Sequence, residues 1–153
     1  MVMAAHYLEQ SAGLSTGRMP AAQEVYRLIG ELEETADPGS RITLIARMGA
    51  SGDPRYVTAL VGCCREKSPE VRRHAIEALY RIRSGRAVEV LLERLQDKNE
   101  QPAIRTRAAD TLMLIRTYSA VEGLRDRLKD LGEDRTIQKH ISDAMGRARM
   151  LYG

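Results

Sequence analysis

The chain contains no phenylalanine and no tryptophan, so six tyrosines are its entire aromatic complement. A core without large apolar rings must be assembled from Leu, Ile, Val, Ala and Met, a composition that suits helices packed close together. Cysteine is scarce as well. The two present, Cys63 and Cys64, are adjacent, and neighbours on a helix diverge by about 100°, a poor geometry for a mutual disulfide. That usage predicts a reducing, cytoplasmic location. No run approaches the ~20 apolar residues needed to span a bilayer, and the opening MVMAAHYLEQSAG lacks a basic leader ahead of an apolar stretch, so neither anchor nor secretory signal is expected.

An excess of one charge is missing too. Twenty-four basic against 21 acidic side chains leave +3 over 153 residues, too little to imply a polyanionic partner. Histidine is limited to His6, His74 and His140. His74 and His140 fall in the same column of the repeat described below, two repeats of about 10 Å apart, too far to share one metal ion. There is no glycine-rich phosphate loop, no Ser-His-Asp set and no pair of close carboxylates with the spacing of a catalytic constellation. The expectation is a non-enzymatic protein with no catalytic residue, no metal ligand and no cofactor.

What the sequence does have is an echo. PEVRRHAIEALYRI from Pro69, PAIRTRAADTLMLI from Pro102 and RTIQKHISDAMGRA from Arg135 are spaced by 33 residues. Down their columns run Val71, Ile104 and Ile137; Ala75, Ala108 and Ile141; Leu79, Leu112 and Met145. Positions i, i+4 and i+8 hold one face of a helix. Between these segments lie shorter amphipathic runs from Tyr56, Ala87 and Ala120, with core positions Leu60 and Cys64, Leu91 and Leu95, Leu124 and Leu128. An imperfect copy opens with PAAQEVYRLIGELEE from Pro20 and continues from Asp37; there Arg47 and Ser51 replace Ala78 and Ile82, so its second helix is expected to turn Ile42 or Ile45 inward.

The punctuation agrees with this reading. In GDP (52 to 54) and SP (68 to 69), Gly permits a left-handed cap, Asp or Ser caps a helix start and Pro fits its first turn. The predicted fold is therefore all-α, an α-solenoid of about four stacked antiparallel helix pairs. Its repeats fall at approximately 19–51, 53–83, 86–116 and 119–152 within a domain over 18–153, preceded by a flexible or capping segment over 1–17. Hairpins this short cannot bury their apolar faces alone and must stack.

GDPRYVTAL, SPEVRRHAIEALYRI and GRAVEVLLERLQD resemble the HEAT-like repeats of the phycobilisome-lyase type, and the resemblance covers about residues 37 to 150. It implies a ladder in which an acid near the end of each first helix (Glu66, Asp97, Asp130) pairs with an arginine early in the second (Arg72, Arg105), ending at Gln138. It also brings three functional expectations to weigh. HEAT-like proteins include deoxyhypusine hydroxylase, recognised by His-Glu pairs that hold two irons, and no such dipeptide occurs here. They include lyase subunits that handle tetrapyrrole-bearing proteins. For that role Cys63, aligned with Arg94 and Arg127 at the edge of the first helices and near Arg65 and Lys67, is the candidate thiol, while Cys64 falls in the core column. They also include DNA glycosylases, whose working face should be rich in Lys, Arg and stacking aromatics.

In solenoids the second helices line the concave working surface. Opposite their buried stripe lie Arg73, Glu77 and Tyr80, then Thr106, Asp110 and Met113, then Lys139, Asp143 and Gly146. The set is mixed in charge with an apolar middle, and the basic residues Arg72, Arg81, Arg105 and Arg147 are expected on its flanks. Glu77, Asp110 and Asp143 are expected to be solvated or paired with neighbours such as Arg73 and Lys139, four residues earlier. The surface predicts a protein partner bound through Arg73, Glu77, Tyr80, Thr106, Asp110, Met113, Lys139 and Asp143, with nucleic acid the weaker alternative, no membrane, and a homodimer open through the ends of the stack.

Overall fold

The computed structural model describes residues 21–152; the expected N-terminal segment 1–17 lies outside the described residues. Eight α-helices follow one another with no strand among the described residues: α1 (Ala22–Glu34), α2 (Pro38–Ser51), α3 (Val57–Cys63), α4 (Pro69–Ile82), α5 (Val88–Gln96), α6 (Pro102–Ile115), α7 (Tyr118–Lys129) and α8 (Arg135–Tyr152). Short 3₁₀ turns, Pro54–Tyr56 and Gly85–Ala87, lead into α3 and α5. They make four hairpins, α1/α2, α3/α4, α5/α6 and α7/α8, as the repeat predicts. The second helices pack in series, α2 on α4, α4 on α6 and α6 on α8.

Side chains cap the helix starts, at Ser68 as the sequence signals and at Asp37 and Thr117 besides. Asp37 accepts the Ser40 N–H at 2.8 Å, Ser68 the Val71 N–H at 3.3 Å and Thr117 the Ala120 N–H at 3.2 Å, each satisfying a donor left over at a helix start. Gly52 closes α2 in the left-handed region at φ 68°. The equivalent positions after α4 and α6 are Arg83 and Arg116, both at φ 56°, so the chain accepts there a conformation that disfavours any residue with a Cβ.

The predicted columns are the core. Val71, Ile104 and Ile137 are at most 1% exposed; Ala75, Ala108, Ile141, Leu79 and Leu112 are fully buried, and Met145 packs partly buried against them. Burying one such large aliphatic side chain contributes about 1.5–3 kcal/mol, which is why the hairpins adhere. The first hairpin turns as expected, with Ile45 and Met48 fully buried and Ile42 partly so. Its Gly49 explains how α2 approaches α4: a Cβ there would lie 2.7 Å from the Ala78 Cβ.

Candidate functional site

Two sets of polar contacts cross from hairpin to hairpin, one inside the stack and one on its second-helix face. The inner set begins at the ends of the first helices, where the last carbonyls lack helical partners. Arg41 on α2 donates to the carbonyls of Leu32 and Thr35, at 2.5 and 2.7 Å. Arg72 on α4 donates to those of Glu66 and Lys67, both at 2.8 Å. Arg105 on α6 reaches the Leu95 carbonyl with two N–H groups, at 2.8 and 2.7 Å. A guanidinium also suits the negative end of a helix.

Each arginine then extends a second edge to a carboxylate of the next hairpin. Arg41 pairs with Glu66, Arg72 holds Glu100 through two bonds of 2.7 and 2.8 Å, and Arg105 holds Glu133 at 2.7 Å. Arg94 adds a bond to Glu100, and Arg127 stands 3.6 Å from Glu133. Burial by itself would raise the pKa of Glu100, but bonds from Arg72, the Gln101 N–H and Arg94 outweigh it and hold the carboxyl below the ordinary glutamate value. Glu133 behaves likewise through Arg105 and the Asp134 N–H. Gln138 on α8 donates to the carbonyls of Arg127, Leu128 and Asp130 and bridges to no further hairpin, so the ladder ends where the sequence placed its end.

Two details of that expectation are corrected. The buried acids of the middle rungs are Glu100 and Glu133, not Asp97 and Asp130. The aspartates instead fold the loop on itself, accepting the N–H of Asn99 and Gly132, both at 2.9 Å. Glu66 does belong to the ladder, but its side chain answers Arg41. Arg72 and Arg105 are accordingly interior residues rather than flanks of a binding surface.

The outer set lies on the second-helix face. Arg107 on α6 donates twice to Glu77 on α4, at 2.8 and 3.0 Å, and its guanidinium sits 3.6 Å over the centre of the Tyr80 ring. One hairpin further on, His140 on α8 lies 2.8 Å from Asp110 on α6. The hydrogen bonds from Arg107 hold the Glu77 carboxyl below the usual range. The structure thus brings Glu77, Tyr80 and Asp110 into lateral pairs. Met113 is half-buried against the core, and Lys139 pairs with Asp143 at 2.7 Å along α8. Arg73 turns to Glu70 at 2.8 Å and does not pair with Glu77, while the Thr106 hydroxyl donates to the Ala103 carbonyl at 3.1 Å.

Arg107 and His140, the partners that knit this face, escaped a reading made column by column. The legible signal was a spacing of 30, one helical turn short of the repeat, which separates both Glu77 from Arg107 and Asp110 from His140.

Cys63 is not at an edge. It is 2% exposed, beneath Arg41 and Glu66, and burial pushes its thiol up to about 11, with the Glu66 charge adding to the effect. Cys64 is fully buried and its thiol is pushed up further by burial. A buried thiol held in its neutral form is a weak nucleophile, which argues against Cys63 as a reactive group. Its column is a covered one: Arg94 and Arg127, the equivalents, fold over the buried glutamates, and in the second hairpin the small Cys63 leaves that space to Arg41 and Glu66.

Among the described residues no cluster of three or more His, Cys, Asp or Glu is placed to hold a metal ion, and no helix is long and apolar enough to cross a membrane. No match was found among curated protein sequences. The fold is similar to that of human deoxyhypusine hydroxylase, solved in complex with glycerol, with a TM-score of 0.70 and 20% identity over 92% of this chain. The match covers 52% of that chain, so this chain spans about half its length, and at that identity the likeness concerns the fold. Residues 25–102 match the family of HEAT repeats. With the match extending over half of the sequence and the four hairpins continuing it in register, the chain belongs to the HEAT-repeat family.

Proposed function

We propose that the chain is a non-enzymatic scaffold that binds a protein partner through the second-helix face of α4, α6 and α8. The observation that carries this reading is the lateral pairing across that face. Arg107 on Glu77 and Tyr80, and His140 on Asp110, fix side chains of neighbouring hairpins relative to one another before any partner arrives. Side chains already ordered lose less freedom on association.

The chemistry of the face fits protein better than nucleic acid. Arg73, Arg107, Lys139 and His140 are set among Glu77, Asp110 and Asp143, and Tyr80 and Met113 supply a half-buried apolar centre. This is the arrangement of apolar middle and polar rim common to protein interfaces, and it lacks the cationic excess that phosphate backbones require.

The test is affinity purification from the native cell with mass spectrometry, comparing the wild-type chain with Tyr80→Ala/Met113→Ala and repeating both after nuclease. Specific partners should fall at least tenfold in the double variant and survive nuclease. Equal recovery from the double variant places the contact elsewhere, and loss of every partner on nuclease treatment transfers the reading to nucleic acid.

A further inference from the structure

The last hairpin departs from the repeat at one place. In the third hairpin Leu92 on α5 reaches across to α7, where a Cβ on Gly123 would lie 2.2 Å from its Cδ2, and Ile115 packs partly buried against the core. The positions 33 residues on are Arg125 and Ala148. A charge replaces the side chain that would seat a neighbour, and a methyl replaces the side chain that would fill the gap. The result is an open groove of about 260 Å³ between the end of α6, the start of α7 and the end of α8. Met113, Val121 and Met145 line it with apolar surface, and Arg116, Arg125 and Arg149 stand around it; none of its lining residues is acidic.

We propose that this groove binds an acidic peptide segment that inserts one apolar side chain between flanking carboxylates. The volume is below the ~300 Å³ at which pockets that enclose a small molecule begin, and suits an anchoring side chain. Methionine lines binding surfaces that adapt to differently shaped apolar groups. Arg125 and Arg149, with no acid in the lining, present forks that carboxylates match in two-pronged geometry. Glu122 engages Arg125 at 2.6 Å from outside the groove, with both side chains substantially exposed, so a peptide carboxylate exchanges with it at small cost. Arg149 has no ion-pair partner among the described residues. Met113 borders both this groove and the second-helix face, but the inference stands on residues of α7 and α8 that the previous reading does not use.

The experiment is display selection of random dodecapeptides on the full chain, followed by fluorescence-polarisation titration of the enriched sequences. Targets are the wild type, Arg125→Glu/Arg149→Glu and Tyr80→Ala. The exchanged arginines are exposed, so the double variant should melt with the wild type. Enriched peptides should carry Leu, Met or Phe among Asp and Glu, bind the double variant at least tenfold more weakly, lose affinity as salt rises, and bind Tyr80→Ala unchanged. The inference is overturned if nothing is enriched, if enriched peptides lack acidic residues, or if the double variant binds them equally. It is also overturned if sedimentation shows a wild-type dimer that the double variant dissolves, since a second copy is then the occupant. Loss of peptide binding only in Tyr80→Ala would move the site to the second-helix face.

Discussion

Inner and outer ladders solve the same problem, joining one hairpin to the next with arginine and carboxylate, at opposite ends of the burial scale. Glu133 and Arg105 have side chains 0% and 4% exposed, whereas Glu77 and Arg107 are 39% and 33% exposed. The inner arginines also close carbonyls at the ends of the first helices, at Leu95 in a fully buried contact, so each arginine is part of the fold's hydrogen-bond accounting. The outer pairs could be traded for water with little loss. The comparison shows that one chemical pair acts as architecture where solvent is excluded and as surface order where it is not.

The largest expected effect comes from breaking an inner rung. Arg105→Ala leaves Glu133 and the Leu95 carbonyl without their partner and should cost about 3–5 kcal/mol in urea unfolding, while Arg105→Met/Glu133→Leu should recover most of it. A loss under ~1 kcal/mol for the single variant would erase the distinction between the ladders. A smaller effect follows from pH. Glu100 and Glu133 have folded pKa values below their unfolded ones, so their contribution is full above the ordinary glutamate value of about 4.3 and is lost as pH falls through the folded value. The urea midpoint should be flat from pH 7 to 5 and fall below that, with Glu100→Gln flattening the acid slope; a slope unchanged by Glu100→Gln would refute it. The smallest effect belongs to the surface. Arg107→Ala should cost within about 1 kcal/mol, the sum of a half-exposed pair and a ring contact, and 1 M salt, which screens the pair, should narrow the difference in midpoint between wild type and Arg107→Ala.

The period of 33 and the buried columns were legible because helix faces repeat at fixed intervals and a core tolerates few substitutes for Val71, Ile104 or Ile137. Caps at Gly52, Asp53 and Ser68 were legible for the same local reason. The acid of the ladder was misread because the loops after α5 and α7 each offer two, three residues apart, Asp97 and Glu100, Asp130 and Glu133, and only the loop's turn decides between them. Cys63 was misplaced because its column holds arginine elsewhere, and an arginine in sequence does not reveal whether it faces water or folds over a buried carboxylate. The open groove is visible in sequence only as Leu92 giving way to Arg125 and Ile115 to Ala148, two exchanges whose meaning depends on which helices meet there.

The amide of Gln138 is a short tether where the other hairpins have a long, two-sided clasp. Cooperativity in a linear array passes from neighbour to neighbour, so α8, whose Gln138 closes carbonyls of its own hairpin without clasping another among the described residues, sets where opening starts. Amide protons of α8 should therefore trade with deuterium ahead of those in α4 and α6, and the array should come apart as a zip does, from the far tooth inward.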